Sequence, residues 1–154
     1  MTRMPNIEYL DIPPIPESLY NDIIESIKGE SYIKTDVETY RICEAKQSIY
    51  DFVLPLFNKT VDTVNIQQFT SNIPPHIDGG SADKINFIIC QGNENITTHF
   101  HGKDYKESFI IEPFRWHRLN VSERHSVTGF RPGDKRISVS VFKSLRWNKL
   151  PIPQ

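Results

Sequence analysis

A histidine and an aspartate stand two residues apart in the segment NIPPHIDGG, residues 72–80. Side chains two apart in an extended segment point to the same face, so the imidazole of His76 and the carboxylate of Asp78 could bind one metal ion. A face of two histidines and one carboxylate suits Fe(II) and leaves coordination positions open. The alternative is a polar pair that begins a turn at Gly79 and Gly80. A third ligand must come from a distant strand, and the candidates are His99, His101, His117 and His125.

A second segment, HSVTGFRPGDKRISVSV, contains one of these histidines. It predicts a hairpin with a turn at RPGD, in which His125 lies on the first strand and Arg136 and Ser138 lie on the second. His125 and Arg136 would then be near neighbours. A guanidinium beside a hydroxyl suits one carboxylate of a small diacid. His117 lies nineteen residues before Arg136, too far for that arrangement.

The elements that must position these residues divide the chain into a helical and a β part. Apolar residues at helical spacing predict helices in 16–29 and 44–58, with a strand or hairpin at 31–43 between them. From Val61 onward, short strands alternate with turns and no helix intervenes. We therefore predict one domain, 1–154, with a helical support over 1–60 and a β-sandwich or barrel over 61–143.

The strand candidates of the second part are rich in β-branched and aromatic residues. They are VDTVNIQQFT, KINFIICQG, ITTHFHG, KESFIIEPFRWHRLNV, HSVTGF and KRISVSVF. Proline, glycine and asparagine clusters separate them and predict turns at NIPP, DGGSAD, GNEN, HGKD and RPGDK.

The order of these residues resembles the Fe(II)/2-oxoglutarate-dependent dioxygenases. The resemblance rests on His76-x-Asp78, on His125 after a gap of 46 residues, and on Arg136 eleven positions further on within RIS. It covers about 61–143 and implies a double-stranded β-helix, or jelly roll, with N-terminal supporting helices. By this resemblance His76, Asp78 and His125 hold iron, and Arg136 with Ser138 binds the far carboxylate of 2-oxoglutarate.

The resemblance also implies a reaction and further contacts. The enzymes of this family use O2 and 2-oxoglutarate to oxidise a C–H bond, usually to an alcohol, and release succinate and CO2. The segment NFIICQGNENITTHFH resembles the strand pair between the iron ligands, where Asn86 and Thr98 are candidates to contact the co-substrate. The expected substrate is a small molecule or an amino-acid side chain, whose identity the sequence does not specify.

Two other functions are compatible with the same residues. A jelly roll can keep the motif as a catalytically silent binding or structural protein, for example in a virus. A cupin-type metalloprotein would instead use the His99-x-His101 pair with a later glutamate and histidine. At suitable strand spacing only the glutamates Glu107 and Glu112 follow. Large apolar residues such as Trp116 and Trp147 are expected in the core or a pocket wall.

Composition narrows the class of protein further. The chain is 38% hydrophobic and 11% aromatic, which is typical of a globular protein, and its net charge of −1 argues against nucleic acid as a partner. No apolar run is long enough to cross a membrane or act as a signal peptide. Two cysteines, Cys43 and Cys90, give no disulfide framework, and Cys90 is expected to be a buried thiol. These features predict a soluble cytoplasmic protein; nothing in the sequence specifies its oligomeric state.

Overall fold

Two antiparallel sheets make up most of the structure, a computed structural model that describes residues 5–32, 40–58, 60–78 and 83–143. The larger sheet has the strand order β1-β8-β5-β10-β3-β2, and the smaller sheet has the order β4-β9-β6-β7. The strands are β1 (Ile7–Tyr9), β2 (Tyr40–Glu44), β3 (Thr63–Phe69), β4 (Ile73–His76), β5 (Asp83–Cys90), β6 (Thr97–His101), β7 (Lys106–Phe109), β8 (Trp116–Asn120), β9 (His125–Thr128) and β10 (Arg136–Phe142).

From β3 onward the chain crosses repeatedly between the sheets. β3, β5, β8 and β10 belong to the larger sheet, whereas β4, β6, β7 and β9 belong to the smaller one. This winding is the double-stranded β-helix, or jelly roll, so the predicted fold class is confirmed.

The helices cover one face of the larger sheet. The helix α1 (Tyr20–Ile27) follows a 3₁₀ turn at Glu17–Leu19, and α2 (Gln47–Val53) passes into a 3₁₀ turn at Leu54–Phe57. Their buried residues join those of β3 and β10 and the indole of Trp116 in one apolar cluster. The part of the chain before β3 therefore shares a core with the sheet. None of the helices in the described ranges is long and apolar enough to cross a membrane.

Alternate side chains of β10 face two different surroundings. Ile137, Val139 and Val141 pack into the apolar cluster beneath the helices, whereas Arg136 and Ser138 face the space between the sheets. Successive side chains of a strand point to opposite faces, so one strand supplies both the core and the polar wall of an internal cavity.

Three local predictions from the sequence are wrong. The segment predicted as a turn at NIPP contains β4, an edge strand, where the missing proline N–H groups are tolerated. The long strand candidate KESFIIEPFRWHRLNV forms β7 and β8 in different sheets, because Pro113 and the left-handed backbone of Phe114 (φ 64°) interrupt it. The predicted hairpin is absent, because β9 pairs with β4 and β6, whereas β10 pairs with β3 and β5.

Other predictions fall partly outside the described residues. The strand predicted at 31–43 is described only at its ends, where Ser31 bridges to Cys43 and β2 begins. The turn at Gly79 and Gly80 and the side chain of Trp147 lie outside the described ranges. Trp116 is in the core, as expected, with its indole N–H donating to the Pro13 carbonyl at 2.9 Å.

Two adjacent isoleucines of α1 test whether this helix belongs to the core. Ile23 is fully buried, whereas 37% of Ile24 is exposed. Ile23→Ala should lower the free energy of unfolding by about 2–5 kcal/mol, because it leaves a cavity in the apolar cluster. Ile24→Ala is the matched control and should change it by less than about 1 kcal/mol. Urea titrations measure both values, and equal effects would contradict the packing of α1 against the sheet.

Candidate metal centre

Pairing between β4 and β9 places two histidines opposite each other. His76 ends β4, His125 begins β9, and the two residues are direct partners in the antiparallel register. Their ring centroids are 4.3 Å apart. Asp78 follows β4, and its backbone N–H donates to the Val121 carbonyl at 3.2 Å, which fixes Asp78 against the end of β8.

The three side chains converge on one point. Asp78 Oδ1 lies 3.1 Å from His76 Nε2, and Asp78 Oδ2 lies 3.8 Å from His125 Nε2. One ligand atom from each residue lies within 4.8 Å of the other two. Metal–ligand bonds of about 2.0–2.2 Å require ligand atoms about 3–4 Å apart, so these separations suit a single metal ion.

Each histidine is held by its second ring nitrogen. His76 Nδ1 lies 2.8 Å from the Pro74 carbonyl, and His125 Nδ1 lies 2.7 Å from the Glu123 carbonyl. A carbonyl can only accept, so both Nδ1 atoms carry a proton and donate it. In a neutral ring this leaves the Nε2 lone pair facing the site, which is the arrangement that metal-binding histidines require.

Burial also favours the neutral form of one histidine. The side chain of His125 is 6% exposed, whereas those of His76 and Asp78 are 38% and 36% exposed. Burial lowers the pKa of His125, although the Glu123 carbonyl and the Asp78 carboxylate oppose the shift. The triad thus has one buried ligand and two ligands at its open side.

A cavity of about 230 Å³ lies between the sheets and contains the triad on its wall. This volume is slightly below the usual range for ligand pockets, so it suits a small molecule. Aromatic and aliphatic side chains form much of the remaining wall, including Tyr40, Phe69, Ile88, Ile111, Leu119 and Val127. Polar groups enter from the larger sheet, on β3, β5, β8 and β10.

Arg136 and Ser138 both reach this cavity from β10 and are 6% and 4% exposed. Burial lowers the pKa of Arg136 to about 10, so the guanidinium keeps its charge at neutral pH. Its Nε and Nη2 atoms are buried, and no group in the described ranges accepts a hydrogen bond from them. Unsatisfied buried donors on a charged group are costly, so both atoms are available to an acceptor in the cavity.

The other predicted co-substrate residues also line the cavity. Asn86 enters from β5 with a buried Oδ1 that has no partner among the described groups, and Thr98 enters from β6. Both therefore face the same space as the triad and Arg136.

The remaining histidines do not join the triad. His99 and His101 alternate along β6 with the cavity-facing Thr98 and the buried Phe100, so they lie on the outer face of the smaller sheet. There His99 contacts the hydroxyls of Ser108 and Thr128, and His101 contacts that of Ser126. His117 is 1% exposed and lines the cavity, but it is not one of the three residues of the triad.

Sequence reasoning missed a second cation in the cavity. Lys84 enters from β5 and donates from Nζ to Gln67 Oε1 at 2.9 Å. Burial lowers its pKa to about 8, although the Asp78 carboxylate opposes the shift. Side chains two apart on a strand point to the same face, so the sequence already indicated that Lys84 lies on the same face as Asn86. The free thiol of Cys90, predicted to be buried, is only half-buried.

Comparison with solved structures finds the same fold in proteins of very different sequence. An oxidoreductase of the 2OG-Fe(II) oxygenase family from Burkholderia pseudomallei matches with a TM-score of 0.60 and 10% identity, over 81% of this chain and 76% of that one. The oxalate decarboxylase of Bacillus subtilis, which has Mn(II) centres, matches with a TM-score of 0.50 and 11% identity, over 77% of this chain and 28% of that one. Identities this low show the fold alone. The sequence matches no protein-family model and no curated protein.

Replacement of the triad carboxylate tests the metal site. Asp78→Ala should abolish binding of Mn(II), because it removes the charged ligand between the two rings. The fold should remain, since Asp78 is partly exposed. Titration followed by the electron paramagnetic resonance of free Mn(II) measures binding. His101→Ala is the control and should bind like the unaltered chain. The site would be contradicted if Mn(II) binding were lost in His101→Ala and kept in Asp78→Ala.

Acid should destabilise the protein through His117. Burial, with a smaller contribution from the charge of Arg136, lowers the pKa of His117 to about 4. An unfolded histidine has a pKa of about 6.5, so between these values the unfolded chain binds the extra proton and stability falls as the pH falls. The contribution lost from pH 7 to pH 5 is on the order of 2 kcal/mol.

Urea titrations of the unaltered chain and of His117→Gln at the two pH values check this expectation. The difference between pH 7 and pH 5 should be smaller in the variant by roughly that amount. Each protein is compared with itself, so a general loss of packing in the variant cancels. An unchanged pH difference would show that His117 is not buried as a neutral ring.

Proposed function

We propose that the chain is an Fe(II)- and 2-oxoglutarate-dependent oxygenase that hydroxylates a small molecule or an amino-acid side chain. The observation that carries this proposal is the pairing of two sites in one cavity. A triad of His76, Asp78 and His125 suits a metal ion, and Arg136 offers buried donors that no described group satisfies. Bound together there, Fe(II) and 2-oxoglutarate would use O2 to oxidise a substrate C–H bond, with release of succinate and CO2.

The donor set fits this pair of ligands. Two neutral imidazoles and one carboxylate would hold Fe(II) and leave positions on it open, where a keto acid and O2 could bind. Arg136 lies on the facing sheet, so a diacid can bind the metal at one end and the guanidinium at the other. The guanidinium suits a carboxylate because its N–H groups match two oxygens at once.

The remaining cavity residues would orient the co-substrate and exclude water. Ser138 is adjacent to Arg136 on the same face of β10 and can donate its hydroxyl to the same carboxylate. Asn86 and Thr98 enter from opposite sheets and can fix the middle of the molecule. The apolar side chains of the wall lower the local dielectric, which strengthens the contacts to the guanidinium.

We extend the proposal to the cellular setting. Cys43 and Cys90 are both free thiols, which favours a reducing compartment such as the cytoplasm. The near-neutral net charge favours a small or side-chain substrate over nucleic acid. A catalytically silent jelly-roll protein would have the same fold, and binding of the two ligands separates it from the oxygenase.

An anaerobic titration with Fe(II) and 2-oxoglutarate tests the proposal. The chelate of the keto acid with Fe(II) has a visible charge-transfer band, which should form only when both are present. His76→Ala should abolish the band, because one of the two imidazoles is lost. A folded protein that gives no band would refute the oxygenase and favour the silent binding protein.

Arg136→Met should separate the two ligands. We expect 2-oxoglutarate to bind roughly ten- to hundred-fold more weakly, the ratio that one or two charge-assisted hydrogen bonds supply. Metal affinity should change little, because Arg136 is not one of the three metal ligands. Arg131, whose side chain is 66% exposed in the turn before β10, provides the control Arg131→Met. Equal loss of metal and 2-oxoglutarate would show that Arg136 is structural.

A further inference from the structure

Lys84 places an ammonium group beside the candidate metal ligands. It lines the cavity together with the triad. Lys84 pairs with Leu119 on β8, two residues before Val121, whose carbonyl accepts the backbone N–H of Asp78. The backbone of Arg136 lies further along the larger sheet. The next residue, Ile137, pairs with Cys90, which is six residues along β5 from Lys84. Six residues of a strand span about 20 Å, so the backbone positions of the two cations are well separated.

The ammonium of Lys84 is incompletely satisfied. It has three N–H donors, and Gln67 Oε1 accepts one of them at 2.9 Å. In the described part of the chain no carboxylate lies within ion-pair distance of it. A partly buried cation without an ion-pair partner costs stability, so the site favours an anion that completes its contacts.

The charged side chains of the cavity wall indicate how many negative charges the bound ligands must carry to make the cavity neutral. Its wall contains two cations, Lys84 and Arg136, and one carboxylate, that of Asp78. Histidines bind metals as neutral rings, so they add nothing. Fe(II) and the 2-oxoglutarate dianion carry opposite charges of equal size and leave the balance unchanged. One positive charge therefore remains on the cavity wall.

We propose that Lys84 selects a substrate with a single carboxylate group, which the ammonium binds beside the metal ligands. This inference rests on the oxygenase function proposed above. The apolar walls and the small volume of the cavity suit the hydrocarbon part of a small organic monocarboxylate. The Lys84–carboxylate contact would also hold a neighbouring C–H bond of the substrate close to the metal.

Matched pairs of probes test the charge requirement directly. Acetate, hexanoate, benzoate and phenylacetate are compared with their neutral amides, which have nearly the same size and shape. Isothermal titration measures their binding to the anaerobic protein saturated with Fe(II) and 2-oxoglutarate. We expect at least one carboxylate to bind roughly ten- to hundred-fold more tightly than its amide, as expected for a charge-assisted hydrogen bond.

Two substitutions assign this preference to Lys84. Lys84→Met keeps the length of the side chain and removes the charge, so the preference for the carboxylate should fall to near unity. Lys84→Arg keeps the charge and should retain most of it. The charge-transfer band of the Fe(II)–2-oxoglutarate chelate is recorded for each protein and should persist in both variants.

The outcomes distinguish the inference from the function on which it rests. If no probe pair shows a preference for the anion, or if the preference survives in Lys84→Met, the inference is wrong. Loss of 2-oxoglutarate binding in Lys84→Met would also overturn it, because Lys84 would then bind the co-substrate. If the unaltered protein forms no band, the oxygenase function fails. A Lys84-dependent preference of the metal-free protein would then still identify the carboxylate site.

Discussion

The antiparallel pairing of β4 with β9 is the constraint on which the candidate centre depends. It places His76 directly opposite His125, although 48 residues lie between them in the sequence. β4 is an edge strand, so its two prolines do not interrupt a ladder, and the Pro74 carbonyl is free to orient the ring of His76. The open side of the triad therefore coincides with the edge of the smaller sheet.

The larger sheet supplies the charged part of the cavity. Strand alternation turns the polar residues of β10 inward and its valines toward the helices, so the helical part of the chain stabilises the strand that carries Arg136. Among the described residues, Arg136 has two buried donors without an acceptor and Lys84 has no ion-pair partner, so burying these cations costs stability in the free protein. A cavity with two such cations suits anionic ligands.

Residue type and spacing were sufficient to select the residues that the structure brings together. The His-x-Asp pair, the later histidine and the Arg-x-Ser pair all line one cavity. The many short strands predicted a β-sandwich or barrel, and the jelly roll itself was predicted from the resemblance to the oxygenase family. Which strands pair could not be predicted, because pairing depends on contacts between distant segments. The segment from His125 to Arg136, predicted as a hairpin, therefore has its two strands in different sheets. The prolines of β4 led this strand to be predicted as a turn. Lys84 was missed because a lysine within an apolar strand is usually assigned to the solvent-facing side.

The most direct measurement is a crystal structure of the protein grown anaerobically with Mn(II) and 2-oxoglutarate, with the metal located by its anomalous scattering. We predict one metal peak within about 2.0–2.3 Å of His76 Nε2, His125 Nε2 and an oxygen of Asp78. The keto acid should chelate this metal, and its far carboxylate should contact the Nε and Nη2 atoms of Arg136. A metal bound by His99 and His101, or a far carboxylate bound by Lys84, would contradict the account.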